Sequence, residues 1–303
     1  MVKFITAEDV IGRFVGLVID EKNKVLPIKR AEKNWLGESN LPDSMIDCIK
    51  MGPKFIDRVS HLLKWIEQNP EKEELFINLD DVKIFAPIPR PEKNIFCIGK
   101  NYADHAIELG SEKDIPEHLI VFTKAPTTVI GPNESVESHK KVTSQLDYEG
   151  ELAIIIGREG KGIPKEEALN YVFGYTIIND ITARDLQERH KQYFLGKSLD
   201  GTCPMGPWIV HSSAIGNPNQ LDIETKVNGE VRQKSNTEKF IFPIEEIISV
   251  LSQGMTLEPG DIIATGTPAG GGKGYNPPKF LKPGDSIAIT IENIGTLENE
   301  IGG

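Results

Sequence analysis

Leu146-Asp147-Tyr148-Glu149-Gly150-Glu151-Leu152-Ala153-Ile154-Ile155-Ile156-Gly157 places two carboxylates at the head of an apolar β run that is expected to be buried. Side chains at i and i+2 of a strand point to one face, so Glu149 and Glu151 stand side by side. Two ionised carboxylates that close, on a desolvated strand, repel each other unless one takes a proton or a cation sits between them. A similar run, Tyr175-Thr176-Ile177-Ile178-Asn179-Asp180, ends in a third acid. The pattern predicts that Glu149, Glu151 and Asp180 converge on one divalent metal.

Downstream of the glutamates, Gly157-Arg158-Glu159-Gly160-Lys161-Gly162 is a polar glycine-rich turn without the Gly-Lys-Ser/Thr ending of a phosphate loop, which argues against a nucleotide site. Pro164 to Tyr171 reads as a short helix, and Thr182 to His190 as a helix dense in side-chain donors. Gly196 to Asp200 and Cys203-Pro204-Met205-Gly206-Pro207-Trp208 read as a loop of fixed geometry. Cys203 has no His at a recognisable spacing, so a structural role is expected. Asn228-Gly229 predicts a tight hairpin, and Pro243 to Gln253 an amphipathic helix. Pro259-Gly260-Asp261 and Pro283-Gly284-Asp285 are turns before further strands. The small residues of Thr265 to Gly274 either offer backbone donors to a carboxylate or form a flexible loop.

Upstream, Asn94 to Gly99 reads as a strand and Lys100 to Gly110 as a helical segment. His105 and Glu108 are i and i+3 there, so the carboxylate can fix the imidazole tautomer, or the two form an exposed salt bridge. Lys124 is a single cation in the strand Val121 to Pro126; it either snorkels or serves an anionic ligand. Val82 to Pro91 has three prolines in its last five residues, which forces an extended connection. A small N-terminal domain, residues 1–85, is expected before it, and a larger one, 86–303, after it. The first would hold a hairpin around the polar stretch Asp20 to Lys24 and two amphipathic helices between Met45 and Gln68.

A net charge of -11 argues against a phosphate-driven nucleic-acid binder. No apolar run approaches membrane-spanning length, and Met1-Val2-Lys3-Phe4 does not begin a secretory leader, so a cytoplasmic protein is expected. Three widely spaced cysteines form neither a disulfide framework nor a zinc site.

Six motifs occur in order over about residues 90–301: Gly99-Lys100-Asn101-Tyr102-Ala103-Asp104-His105, Leu146 to Leu152, Asn179 to Gln187, Gly196-Lys197-Ser198, Cys203 to Pro207, and Thr265-Gly266-Thr267-Pro268. In these the chain resembles the fumarylacetoacetate hydrolase family. The resemblance implies an α+β, β-rich fold: a mixed β-roll catalytic domain, usually paired into homodimers, with a small α+β N-terminal domain. It implies Mg²⁺ or Mn²⁺ on Glu149, Glu151 and Asp180, and a catalytic role for His105, Glu108 and Lys197, the first two on a lid. Gln187 and Thr267, with Lys100 and Lys124, are expected to contact substrate.

Three carboxylates suit a small hard cation and leave positions for a 2-oxo acid. The resemblance points to such a substrate, a small dicarboxylate. Oxaloacetate decarboxylation to pyruvate and CO2 is the leading expectation. Acylpyruvate or fumarylpyruvate hydrolysis and 2-hydroxyhepta-2,4-diene-1,7-dioate isomerisation are the alternatives within the family. A non-catalytic protein binding a dicarboxylate or a partner is the reading from another class.

Overall fold

The computed structural model describes residues 2–19 and 23–303. Among them, one sheet of twelve strands carries most of the fold. Its centre is the glutamate strand, Gly150–Ile156, paired antiparallel to the aspartate strand, Val172–Asn179, on one side and to Ile262–Ala264 on the other. Every residue of the two paired strands is buried, as their unbroken apolar runs require. Beyond Ile262–Ala264 come Ile95–Gly99 and then Ile120–Lys124. Beyond the aspartate strand come Cys203–His211 and then the N-terminal strands Lys3–Asp9, Gly12–Ile19 and Lys24–Pro27.

A five-stranded sheet covers one face. Its strands include Asp222–Val227 and Glu230–Asn236, joined at Asn228-Gly229 with φ of 52° and 78°, as the dipeptide predicts. Leu152, Ile154 and Ile156 pack there with Ile223, Ile289 and Leu297. Gly150 belongs to the same face; a Cβ on it would overlap Thr225 Oγ1. The alternating residues Ala153 and Ile155 enter a second core with Phe4, Leu17, Phe55, Val59 and Leu62. Phe55, Val59 and Leu62 form the buried stripe of helix Pro53–Gln68, which with Met45–Lys50 accounts for the two expected helices.

The expected N-terminal hairpin pairs Ile19 with Lys24, while its turn residues 20–22 lie outside the described residues. Residues 1–85 and 86–303 share one sheet through Phe4↔Ile209, and they share the second core. The expected loop at Cys203 to Trp208 is instead the start of strand Cys203–His211. Pro207 is accommodated because the ladder to the aspartate strand shifts register between Tyr175 and Ile177, opposite Gly206 to Val210, while Pro204 lies beyond that ladder, opposite Ile130 of a short parallel strand. The short helix after Pro164 is a 3₁₀ turn, Lys165–Tyr171.

Candidate metal centre and active site

The register Gly150↔Asn179 brings the head of the glutamate strand beside the end of the aspartate strand. Asp180 N–H donates to the Glu149 carbonyl at 2.8 Å, and Glu149 N–H to Asn179 Oδ1 at 3.0 Å. The two chain ends are thereby tied, and Glu149, Glu151 and Asp180 each present a carboxylate oxygen within 4.8 Å of the others. All three are buried.

Three cations surround this cluster. Lys197 Nζ bridges Glu149 Oε2 at 2.5 Å and Asp180 Oδ2 at 2.7 Å, beneath the Phe122 ring. Lys124 Nζ lies 2.9 Å from Asp180 Oδ1 and donates to the Ile181 carbonyl. Arg184 Nη2 lies 2.7 Å from Glu149 Oε1, while Nε donates to Asp147 at 2.9 Å. Burial opposes the charge on Glu149, but Lys197 and Arg184, with His105, outweigh it and hold its carboxyl well below the usual range. Burial pushes Glu151 the other way, well above that range, and the charges of Asp180 and Glu149 add to the rise.

This contrast tests whether the residues fit a divalent cation. Among the described residues Glu151 has no basic partner, only the Gly266 N–H at 2.8 Å. Asp180 Oδ1 sits against Lys124 without a directed hydrogen bond. Four buried acids, Asp147 included, face three buried cations. The excess negative charge is concentrated on oxygen donors that converge, so the set fits a hard divalent cation.

A cavity of about 170 Å³ opens over the cluster. Lys100, His105, Glu149, Glu151, Gln187, Lys197 and Thr267 line it. Lys124 and Asp180 lie beneath it, outside the lining, because both side chains are fully covered. His105 comes from helix Ala103–Glu108, and its Nε2 is 4.0 Å from Glu149 Oε1. Its Nδ1 is 3.4 Å from Glu108 Oε2, and the imidazole is buried rather than part of an exposed pair. The Thr267 hydroxyl donates to the Gly150 carbonyl and accepts from Gln233. Lys100 has a left-handed φ of 53° and reaches Asp114 at 3.4 Å.

Arg184 and Asp147 escaped the sequence reading, as did Lys273 and Tyr193 on the cavity wall. The donor-rich segment after Asp180 was a signal for Arg184, four residues on. Asp147 precedes Glu149 by the same two residues that separate Glu149 from Glu151, and that spacing was its only signal. Cys203 is buried and its thiol is pushed up to about 12 by that burial, consistent with a packing role.

The fumarylacetoacetate (FAA) hydrolase C-terminal family matches residues 94–302. Oxaloacetate tautomerase YisK of Bacillus subtilis (strain 168) is 58% identical over 301 residues, covering 99% of this chain and 100% of that protein. Among solved structures, a fumarylacetoacetate hydrolase from the psychrophile Exiguobacterium antarcticum aligns with a TM-score of 0.80 at 38% identity, over 100% of both chains. Maleylpyruvate hydrolase from Sphingobium sp. SYK-6, in complex with manganese(II) and pyruvate, aligns at 0.75 with 29% identity, over 99% of this chain and 98% of that one. The fold, the buried acids and these matches agree: the chain belongs to the fumarylacetoacetate hydrolase family.

Proposed function

We propose that the protein is an oxaloacetate tautomerase, interconverting the keto and enol forms with Mg²⁺ or Mn²⁺ bound. The observation that carries the reading is the buried His105, backed by Glu108, facing the acid cluster across a cavity of about 170 Å³. That volume lies below the ~300–1,000 Å³ of drug-sized sites and suits a short diacid. The name of the 58% identical relative supports the same substrate.

When bound to Glu149, Glu151 and Asp180, the cation supplies Lewis acidity to the 2-oxo acid. Glu108 Oε2 accepts a hydrogen bond from His105 Nδ1–H, and this tautomer leaves Nε2 unprotonated on the cavity side. There His105 takes a proton from C3 as general base. The C3–H bond breaks, the C2–C3 double bond forms, and His105 Nε2 returns the proton it took to the C2 oxygen, so His105 ends neutral and the carbon skeleton is unchanged. Lys197, lining the cavity, offsets negative charge that grows on the substrate oxygen.

Decarboxylation, the leading expectation from the sequence, is the second reading. It shares the substrate and the enolate, and the same small cavity favours it over hydrolysis of a longer acylpyruvate. The two differ in whether C3 loses a proton or CO2. Enol decay and pyruvate formation, followed together with Mn²⁺-loaded protein, separate them. Tautomerisation no faster than the metal-only background sinks the lead. The His105→Ala variant is expected to lose roughly 10²–10⁴-fold in tautomerisation and little in any decarboxylation.

A homodimer in the cytoplasm completes the reading. Sedimentation velocity tests the first part and cell fractionation the second. Among the described residues no helix is long and apolar enough to cross a membrane.

A further inference from the structure

The His105–Glu108 pair is gripped from behind by a segment far away in the chain. Glu108 Oε1 accepts the Gly270 N–H at 2.9 Å, while Oε2 faces His105. Gly270 opens the run Gly270-Gly271-Gly272-Lys273-Gly274. The N–H groups of Gly272 and Lys273 donate to the Asp147 carboxylate at 2.6 and 3.0 Å. Asp147 is fully buried and also accepts from Tyr148 N–H and Arg184 Nε. Arg184 in turn reaches Glu149, and the Tyr148 hydroxyl donates to the Gly270 carbonyl at 2.7 Å. A Cβ on Gly274 would overlap the Glu108 carboxylate, so the run is closed against it.

We infer that Asp147 and the Gly270–Gly274 run are positioning residues of the proton-transfer pair. Asp147 fixes the run, the run fixes Glu108, and Glu108 sets the tautomer and direction of His105. Through Arg184 the same Asp147 carboxylate is tied to Glu149, so the base and the acid cluster share one frame. The inference rests on the reading of His105 and Glu108 as the pair that moves the proton.

Gly274→Ala is the sharpest probe. Gly274 is exposed, its φ lies outside the left-handed region, and the three atoms nearest the added methyl all belong to the end of the Glu108 side chain. Displacing that carboxylate is expected to lower kcat for oxaloacetate tautomerisation about 10²-fold, with KM and Mn²⁺ affinity unchanged. In a Glu108→Ala background the same substitution is expected to be silent, because its target is gone. An unchanged kcat for Gly274→Ala, or an equal penalty in both backgrounds, overturns the inference.

Asp147→Asn gives a readout independent of activity. Amide exchange in residues 103–108 and 270–274 of the metal-free protein is expected to quicken in this variant. Wild-type exchange in both segments breaks the proposed link. Should this variant not fold, the Gly274→Ala cycle decides alone. Full turnover in both His105→Ala and Glu108→Ala is a separate result: it sinks the proton-transfer reading itself, and the inference falls with it.

Discussion

Among the described residues, Glu151 is the acid of the cluster left without a cationic partner. Glu149 is held ionised by Lys197 and Arg184, and Asp180 is flanked by Lys197 and Lys124. A divalent cation bound on the three acids would supply the counter-charge that Glu151 lacks, so its removal should be felt most at this residue. Glu151→Gln is expected to weaken Mn²⁺ binding by more than the ~10–100-fold that loss of an outer partner costs. Isothermal titration calorimetry measures this, and wild-type affinity would remove Glu151 from the ligand set. The residue identities of the three acids were legible, because the period of a strand and the burial of an apolar run are local properties. The cations that hold Glu149 ionised were not. Arg184 and Lys197 reach it from 35 and 48 residues away, through a register that only pairing establishes.

Two elements show how narrow the tolerances are. The glutamate strand can turn its acids toward the cavity only because Gly150 lets the five-stranded sheet approach on the opposite face. Gly150→Ala forces a methyl into Thr225 and is expected to cost about 1–3 kcal/mol of stability. Urea denaturation at neutral pH reads this; an unchanged midpoint would show that the sheets can part freely. At the N-terminus, Asp9 ends its strand by accepting the N–H groups of Ile11 and Gly12. Arg30 adds two hydrogen bonds, at 2.5 and 2.9 Å, and this pairing holds the Asp9 carboxyl down at about 2. A depressed carboxyl contributes stability above its ordinary range, and that contribution disappears as pH falls toward about 2. Asp9→Asn is therefore expected to cost about 1 kcal/mol near neutrality, with the gap to wild type narrowing below pH ~4. Denaturation series at several pH values test the sign. The hairpins and helices were largely legible, whereas the strand Cys203–His211 was not. Its prolines signal a loop until the irregular pairing with the aspartate strand is known.

Across the whole molecule, residues 1–85 are joined to the rest by main-chain pairing and by ring packing. The rings of Phe4 and Phe55 lie 5.8 and 6.3 Å from that of Phe173. Without residues 1–85, Phe173, Ile209 and Ile155 would lose one side of their packing and strand Cys203–His211 would lose a neighbour. A chain of residues 86–303 is expected to aggregate or lose fixed tertiary packing, measured by sedimentation and near-ultraviolet circular dichroism. A monodisperse, cooperatively unfolding fragment would show that the shared core is dispensable. By itself the sequence determined which acids share a strand face and the order of most elements, since these follow from a spacing of two residues and from local turn chemistry; the spacing of His105 and Glu108 left an exposed salt bridge open, and a role for the pair came only from the family resemblance. Only the tertiary structure decided that Lys124 lies beneath the cluster and that Arg184 joins Asp147 to Glu149. It also decided that Glu108 is seated on Gly270, 162 residues further along. Such contacts depend on sheet register and on two sheets closing over one strand, and neither is written in any local stretch of chain.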